Sequence, residues 1–242
     1  MIAVAEPHLS HSQVSGFCDC PRRWHYSHVE QAPRERVGMA LVTGISLHLA
    51  AASANEAALA GTTCDAPAIF DRAFTSALKD AEVPVHGIED ADENRTKGRA
   101  LASAYTPPPG IVGVEQPFTI TLADDLPEVT GRIDLIRKDE AGRLILADIK
   151  STATKALADP AAVAAQLGLY DCAYPAAAHE AILLVKTKTP SIATIPVRAW
   201  SRGQVVRHYR EVFHAMQAGV RYAVRSWSCP SCAYRDRCAA DS

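Results

Sequence analysis

Asp148 and Lys150 stand near the end of an apolar run, Leu144-Ile-Leu-Ala-Asp-Ile-Lys-Ser151. A run this apolar predicts a buried strand. Side chains alternate along a strand, so the carboxylate and the ammonium share one face. Burying both is costly unless each has a partner, and a divalent cation would supply one for Asp148. Taken alone, the segment reads as well as a simple ion pair. The preceding segment Gly131-Arg-Ile-Asp134-Leu-Ile136 adds a second carboxylate among apolar residues. Ala141-Gly142 predicts a hairpin turn between the two strands, which makes them neighbours. Asp134 and Asp148 can then face one site, and hard oxygen ligands suit magnesium or manganese.

Two further segments offer weaker signals. His48 closes Gly44-Ile-Ser-Leu-His48 inside an apolar helix, where a histidine is as readily a hydrogen-bonded core residue as a ligand. Gln166 and Tyr170 are four residues apart and share a helical face.

The elements that must position these groups can be read from periodicity and punctuation. Ser10 caps a first short helix and Pro21 starts a second. Residues 37–59 read as a long, largely buried helix, and 66–79 as another. The polar stretch 89–97 is a surface connection or the exposed start of a further helix. Pro107 to Gly110 is a hard break. Strands are expected over 111–122, 128–138 and 143–150, then a helix from Asp159-Pro160 to about Tyr174. Strands at 181–187 and 191–197 and a helix over 202–225 follow. This order describes an α/β domain, a mixed sheet flanked by helices.

The tail carries Cys229, Cys232 and Cys238, a C-x2-C-x5-C pattern within ten residues. Three cysteines this close in a reducing compartment point to a metal rather than disulfides. A fourth ligand must come from elsewhere, and Cys18-Asp-Cys20-Pro21 can provide it. The spacing allows zinc, while the Cys-Pro junctions and the five-residue gap favour a 4Fe-4S cluster. Cys64 and Cys172 lack neighbours in sequence and read as small core residues.

The ordered set Gly44 to His48, Gly131 to Asp134, Asp148 to Lys150 and Gln166 to Tyr170 resembles the RecB-like branch of the PD-(D/E)XK nuclease superfamily, with its restriction-endonuclease-like fold. The resemblance spans about half the chain. It implies that His48, Asp134, Asp148 and the Ile149 carbonyl bind the metal. Lys150 would orient or activate the attacking water, with Lys150, Asp134 and Asp148 as the catalytic set. Gln166 and Tyr170 would hold DNA, and Glu115 resembles a supporting acidic residue on the first core strand. One cysteine before the core and three after it is similar to the CRISPR-associated iron–sulfur exonuclease family and the AddB nuclease domain. That resemblance selects Cys20 over Cys18. The cysteine set would staple residues 1–36 to 226–242 around a core of 37–225 in a single nuclease domain, 1–242.

Bulk properties agree with this reading. The 242 residues and 48% hydrophobic share suffice for one sizeable core. The net charge of −2 hides a stretch, 180–242, with ten basic and four acidic residues, a basic face that fits a polyanion. No apolar run has the roughly 20 residues needed to span a membrane. The start lacks a signal-peptide pattern, so a cytoplasmic location is expected. The expected activity is cleavage or end trimming of DNA, with single strands preferred. The setting would be CRISPR adaptation beside an integrase, or recombination and repair with their proteins. The competing expectation is a DNA-binding or assembly module that kept the fold and lost catalysis.

Overall fold

The computed structural model describes residues 8–187 and 189–241. Part of the chain's start (1–7), Lys188 of the basic stretch and Ser242 lie outside them. A short strand β1 (His8–Leu9) leads into helices α1 (His11–Asp19) and α2 (Pro21–His28). The Ser10 hydroxyl accepts the Gln13 N–H at 3.2 Å and caps α1. A two-residue strand β2 (Val37–Gly38) precedes the long helix α3 (Met39–Leu59). Helix α4 (Ala66–Lys79), strand β3 (Val85–His86) and helix α5 (Ala91–Ala104) complete the helical half.

The sheet is built from β4 (Ile111–Ile120), β5 (Glu128–Lys138), β6 (Leu144–Thr152), β7 (Ala178–Val185) and β8 (Ser191–Pro196). Strands β4, β5 and β6 pair antiparallel in sequence order. Helix α6 (Pro160–Ala173) carries the chain across so that β7 pairs parallel to β6, and β8 returns antiparallel. Val129 pairs with both Leu9 and Ile120, so β1 and β4 flank the start of β5 on opposite sides. β1 and β6 therefore share one side of β5. Helices α7 (Arg202–Gln217) and α8 (Arg235–Ala240) finish the chain.

Alternation divides the core. Ala181, Leu183 and Val185 of β7 face a cluster with Phe17, Trp24, Leu167 and Tyr209, from α1, α2, α6 and α7. Ile182 and Leu184 face the other, with Leu47, Phe70 and Leu101 from α3, α4 and α5. The architecture is thus the expected mixed α/β sheet sandwiched by helices.

Three local expectations need correction. The last long helix stops at Gln217, short of 225. Gly219 has a φ of 73°, while Gly219 and Val220 N–H groups return to the Met216 and Ala215 carbonyls. That is a Schellman stop, which an L side chain at 219 would strain. Helix α3 is not uniformly buried: Leu41, Ile45 and Leu49 are about half exposed on one stripe. Cys64 lies exposed in the α3–α4 loop rather than in the core, whereas Cys172 packs partly buried against the α6–α7 cluster.

Candidate functional site

The site forms where β5 loses its regular pleat. Ile133 belongs to one core cluster and Leu135 to the other, although residues two apart on a regular strand share a face. The change of face falls on Asp134. Opposite it, between the paired couples Val114–Leu135 and Gln116–Ile133, sits Glu115 with a φ of 48°. A non-glycine residue in this left-handed region is strained, and the distortion re-aims both carboxylates. The β5–β6 pairing ends at Leu135–Ala147, one step before Asp134 and Asp148. Asp134 therefore stands at a seam that helices can reach from both sides of the sheet.

From one side comes His48 of α3. Its Nε2 lies 2.7 Å from Glu115 Oε1, and its Nδ1 is 3.9 Å from Asp134 Oδ2. Ligand atoms of His48, Glu115 and Asp134 all lie within 4.8 Å of one another. Gly44, one turn earlier, faces β6: a Cβ there would stand 3.4 Å from Ser151 Oγ, in ordinary contact. From the other side come Gln166 and Tyr170 of α6. Gln166 Oε1 accepts from Lys150 Nζ at 2.8 Å, Gln166 Nε2 donates to the Tyr170 hydroxyl at 2.7 Å, and that hydroxyl reaches Asp134 Oδ1 at 3.4 Å. Gly131 leaves room for Phe118, whose ring would stand 2.5 Å from an added Cβ.

Asp148 is fully buried. Its Oδ1 accepts from Lys150 Nζ at 2.9 Å, while its Oδ2 has no partner among the described residues. Asp134 Oδ2 accepts the Ile149 N–H at 2.8 Å. Burial, then the charge of Asp148, push the Asp134 carboxyl up to about 6. The His48 imidazole is raised, mainly by its hydrogen bond to Glu115 and against the effect of burial. Burial alone would raise the Glu115 carboxyl, but the His48 hydrogen bond and charge, together with Arg132, bring it below its ordinary value. Burial and the two aspartates hold the Tyr170 phenol well above its usual range, so it stays a neutral donor. Two acidic groups this close, one with a buried orphan oxygen, are a costly arrangement that a divalent cation would relieve.

The candidate metal-binding, lysine and DNA-contact residues named from sequence thus gather near this seam, although Asp148 lies outside the tight His48–Glu115–Asp134 group. The cleft also takes in residues that sequence reasoning passed over. Ser10, His11 and Arg23 from the first helices line a cavity of about 520 Å³ with Asp134, Lys150 and Gln166. His11 is held neutral, its pKa pushed down to about 4 by burial and then by Lys150. No local pattern marks it; only the packing of α1 against α6 and β5 brings it here.

A second polar assembly joins the chain ends. Cys20, Cys229, Cys232 and Cys238 line one cavity of about 320 Å³, with Arg23, Arg225 and Arg235 around it. Cys18 points elsewhere, its Sγ 3.9 Å from His208 Nε2. Glu35 accepts the Asp236 and Arg237 N–H groups at the start of α8, Arg36 pairs with Asp236 at 2.5 Å, and the Tyr26 hydroxyl donates to Asp241 at 2.5 Å. The start and the tail therefore meet, as a shared ligand set requires. Several tail arginines serve structure: Arg210 grips Asp125 with two hydrogen bonds, and Arg237 pairs with Glu30.

With this fold and site, residues 8–239 match the family model described as the PD-(D/E)XK nuclease superfamily. The chain belongs to that superfamily, and the order of its motifs is RecB-like. No curated protein matches it. Among solved structures it is similar to one described as "Crystal structure of SSO0001", at 16% identity over 96% of this chain and 94% of that one, with a TM-score of 0.39.

Proposed function

We propose that the protein is a metal-dependent deoxyribonuclease that hydrolyses phosphodiester bonds at or near single-stranded DNA ends, acting in the cytoplasm. The observation that carries this reading is the buried Asp148 Oδ2, without a partner among the described residues, beside Asp134 and Lys150. The complete set Asp134, Asp148 and Lys150 argues against a decayed site, which would more readily have lost one of them.

His48, Asp134 and Asp148, with the Ile149 carbonyl, would hold magnesium or manganese, and Glu115 is near enough to join them. When bound, the ion would polarise a phosphoryl oxygen and lower the pKa of water. Lys150, fixed by Asp148 and Gln166, presents an ammonium where charge builds on the phosphate. Tyr170 donates toward Asp134 and keeps that carboxylate aimed into the seam. Gln166 joins Lys150 to Tyr170, so all three move as one unit.

The four cysteines of the terminal cavity would hold a 4Fe-4S cluster. The four thiols line one cavity of about 320 Å³, room enough for a multi-atom group, and the surrounding arginines suit its negative charge. Its role would be to staple residues 1–36 to 226–242 around the 37–225 core. The biological setting we favour is CRISPR adaptation or DNA recombination and repair.

The test is hydrolysis of labelled single-stranded DNA with manganese by wild type, Lys150→Ala and Asp148→Ala. Cleavage by wild type alone supports the reading. Equal, background cleavage by all three would leave a binding or assembly module. A brown protein with iron and sulfide on analysis supports the cluster, and a colourless one purified without air and rich in zinc overturns it.

A further inference from the structure

Trp227 exposes 91% of its surface, an unusual state for the largest side chain. It overlooks a groove of about 560 Å³ between α2, the start of α3 and the cysteine loop. Arg23, Arg34 and Arg36 line the same groove. Arg34 is exposed and enters no ion pair among the described residues.

The groove runs on into the hydrolytic seam by two routes. Ser12, Gly16 and Arg23 belong both to it and to the cleft holding Asp134 and Lys150. Ala40 and Leu41 belong both to it and to a cavity of about 420 Å³ that reaches His48 and Lys150. That second cavity also exposes Ile45, one turn from Leu41 on α3, at 54%. An open track that joins guanidinium groups, half-exposed aliphatic side chains and a bare indole combines features that unpaired nucleotides use. Arginines neutralise phosphates, and a flat aromatic face stacks on any base. A duplex buries its bases in its own stack and would leave the indole idle.

Resting on the nuclease reading above, we infer that this groove is the track of the single DNA strand outside the scissile bond. Trp227 is its base-stacking platform and Arg34 a phosphate contact. Both are substrate-positioning residues remote from the chemistry.

The experiment compares wild type, Trp227→Ala, Trp227→Phe and Arg34→Ala on two substrates. One is a labelled twelve-residue oligothymidylate, whose binding is read by anisotropy in calcium and whose hydrolysis is read in manganese. The other is the dinucleotide thymidylyl-thymidine, which has no nucleotide beyond the two that flank the scissile bond. Trp227→Ala should weaken twelve-mer binding by about fivefold or more and raise its KM, with kcat and dinucleotide cleavage unchanged. Trp227→Phe should restore most of the affinity. Arg34→Ala should lower the slope of log K against log salt by about 0.7. Unchanged twelve-mer affinity and KM in Trp227→Ala overturns the inference. So does an equal loss for a twelve-base-pair duplex, which would mean the groove does not select single strands. If wild type cleaves neither substrate while Trp227→Ala still weakens binding, the track stands and the hydrolytic reading falls.

Discussion

The strand seam and the cysteine cavity are both polar sites, yet they are supported in opposite ways. Asp134 and Asp148 sit on strands whose neighbours, Leu135, Leu146 and Ala147, are fully buried. The sheet would hold its shape whatever those two carboxylates bind. Around the cysteines the support is thin: the turn Cys229–Ser231 and helix α8 contain no buried residue. Their contacts are mainly ion pairs and capping bonds at the surface, interactions that contribute little singly. The seam carries a burial cost that the sheet can support, whereas a group held by the tail's thiols, as proposed above, would add stability where the packing supplies little.

Substitutions that strike only the seam should separate the two most sharply. Asp148→Ala or Asp134→Ala should reduce hydrolysis by about 10³-fold or more, because several kcal/mol of ion-derived stabilisation are lost at 1.36 kcal/mol per tenfold. Thermal unfolding should not fall below that of wild type. A large fall in Tm would mean that the seam is a structural site after all. Lys150→Ala should lower kcat by about 10²-fold or more with a smaller change in KM, as expected for a charge that acts on the phosphate in the transition state.

At the other site the pattern should invert. Cys232→Ser should lower Tm by about 10 °C or more, given the several kcal/mol that a structural metal group contributes and the usual slope of Tm on stability. Limited proteolysis should then cut within 221–241, while turnover per folded molecule stays close to wild type. Loss of turnover without loss of Tm would overturn the staple.

The pH dependence of the metal-free protein sharpens the contrast further. The Asp134 carboxyl is raised in the fold from 3.8 to about 6 by burial and the neighbouring Asp148. The folded chain thus binds more protons than the unfolded one between these values, and stability falls as pH climbs from about 4 to 6. The loss is up to about 3 kcal/mol. Asp134→Asn should flatten this limb and raise the metal-free Tm at pH 7. A profile identical to wild type would show that the seam imposes no such cost. The smallest effect belongs to Gln166→Ala, which removes one link between Lys150 and Tyr170. It should cost roughly tenfold in kcat, since two hydrogen bonds of about 1 kcal/mol or less each are lost.

The sequence by itself determined the elements and the chemistry they carry. Apolar runs set β5 and β6, Ser10 and Asp159 set helix starts, and Asp148-x-Lys150 had to share a strand face because side chains alternate. The spacing of Cys229, Cys232 and Cys238 was equally local. Only the tertiary structure decided that Glu115 stands among the ligand atoms, because its left-handed φ and the break in the pleat at Asp134 come from two strands accommodating each other. Only it could bring His11 to the seam and Trp227 to the groove that runs into it, and set Cys20, the cysteine the resemblance selects, in the same cavity as the three tail cysteines. Local pattern fixes which face a side chain takes on its own element. Convergence of distant elements depends on how the two helical layers close over the sheet, and no single segment encodes that.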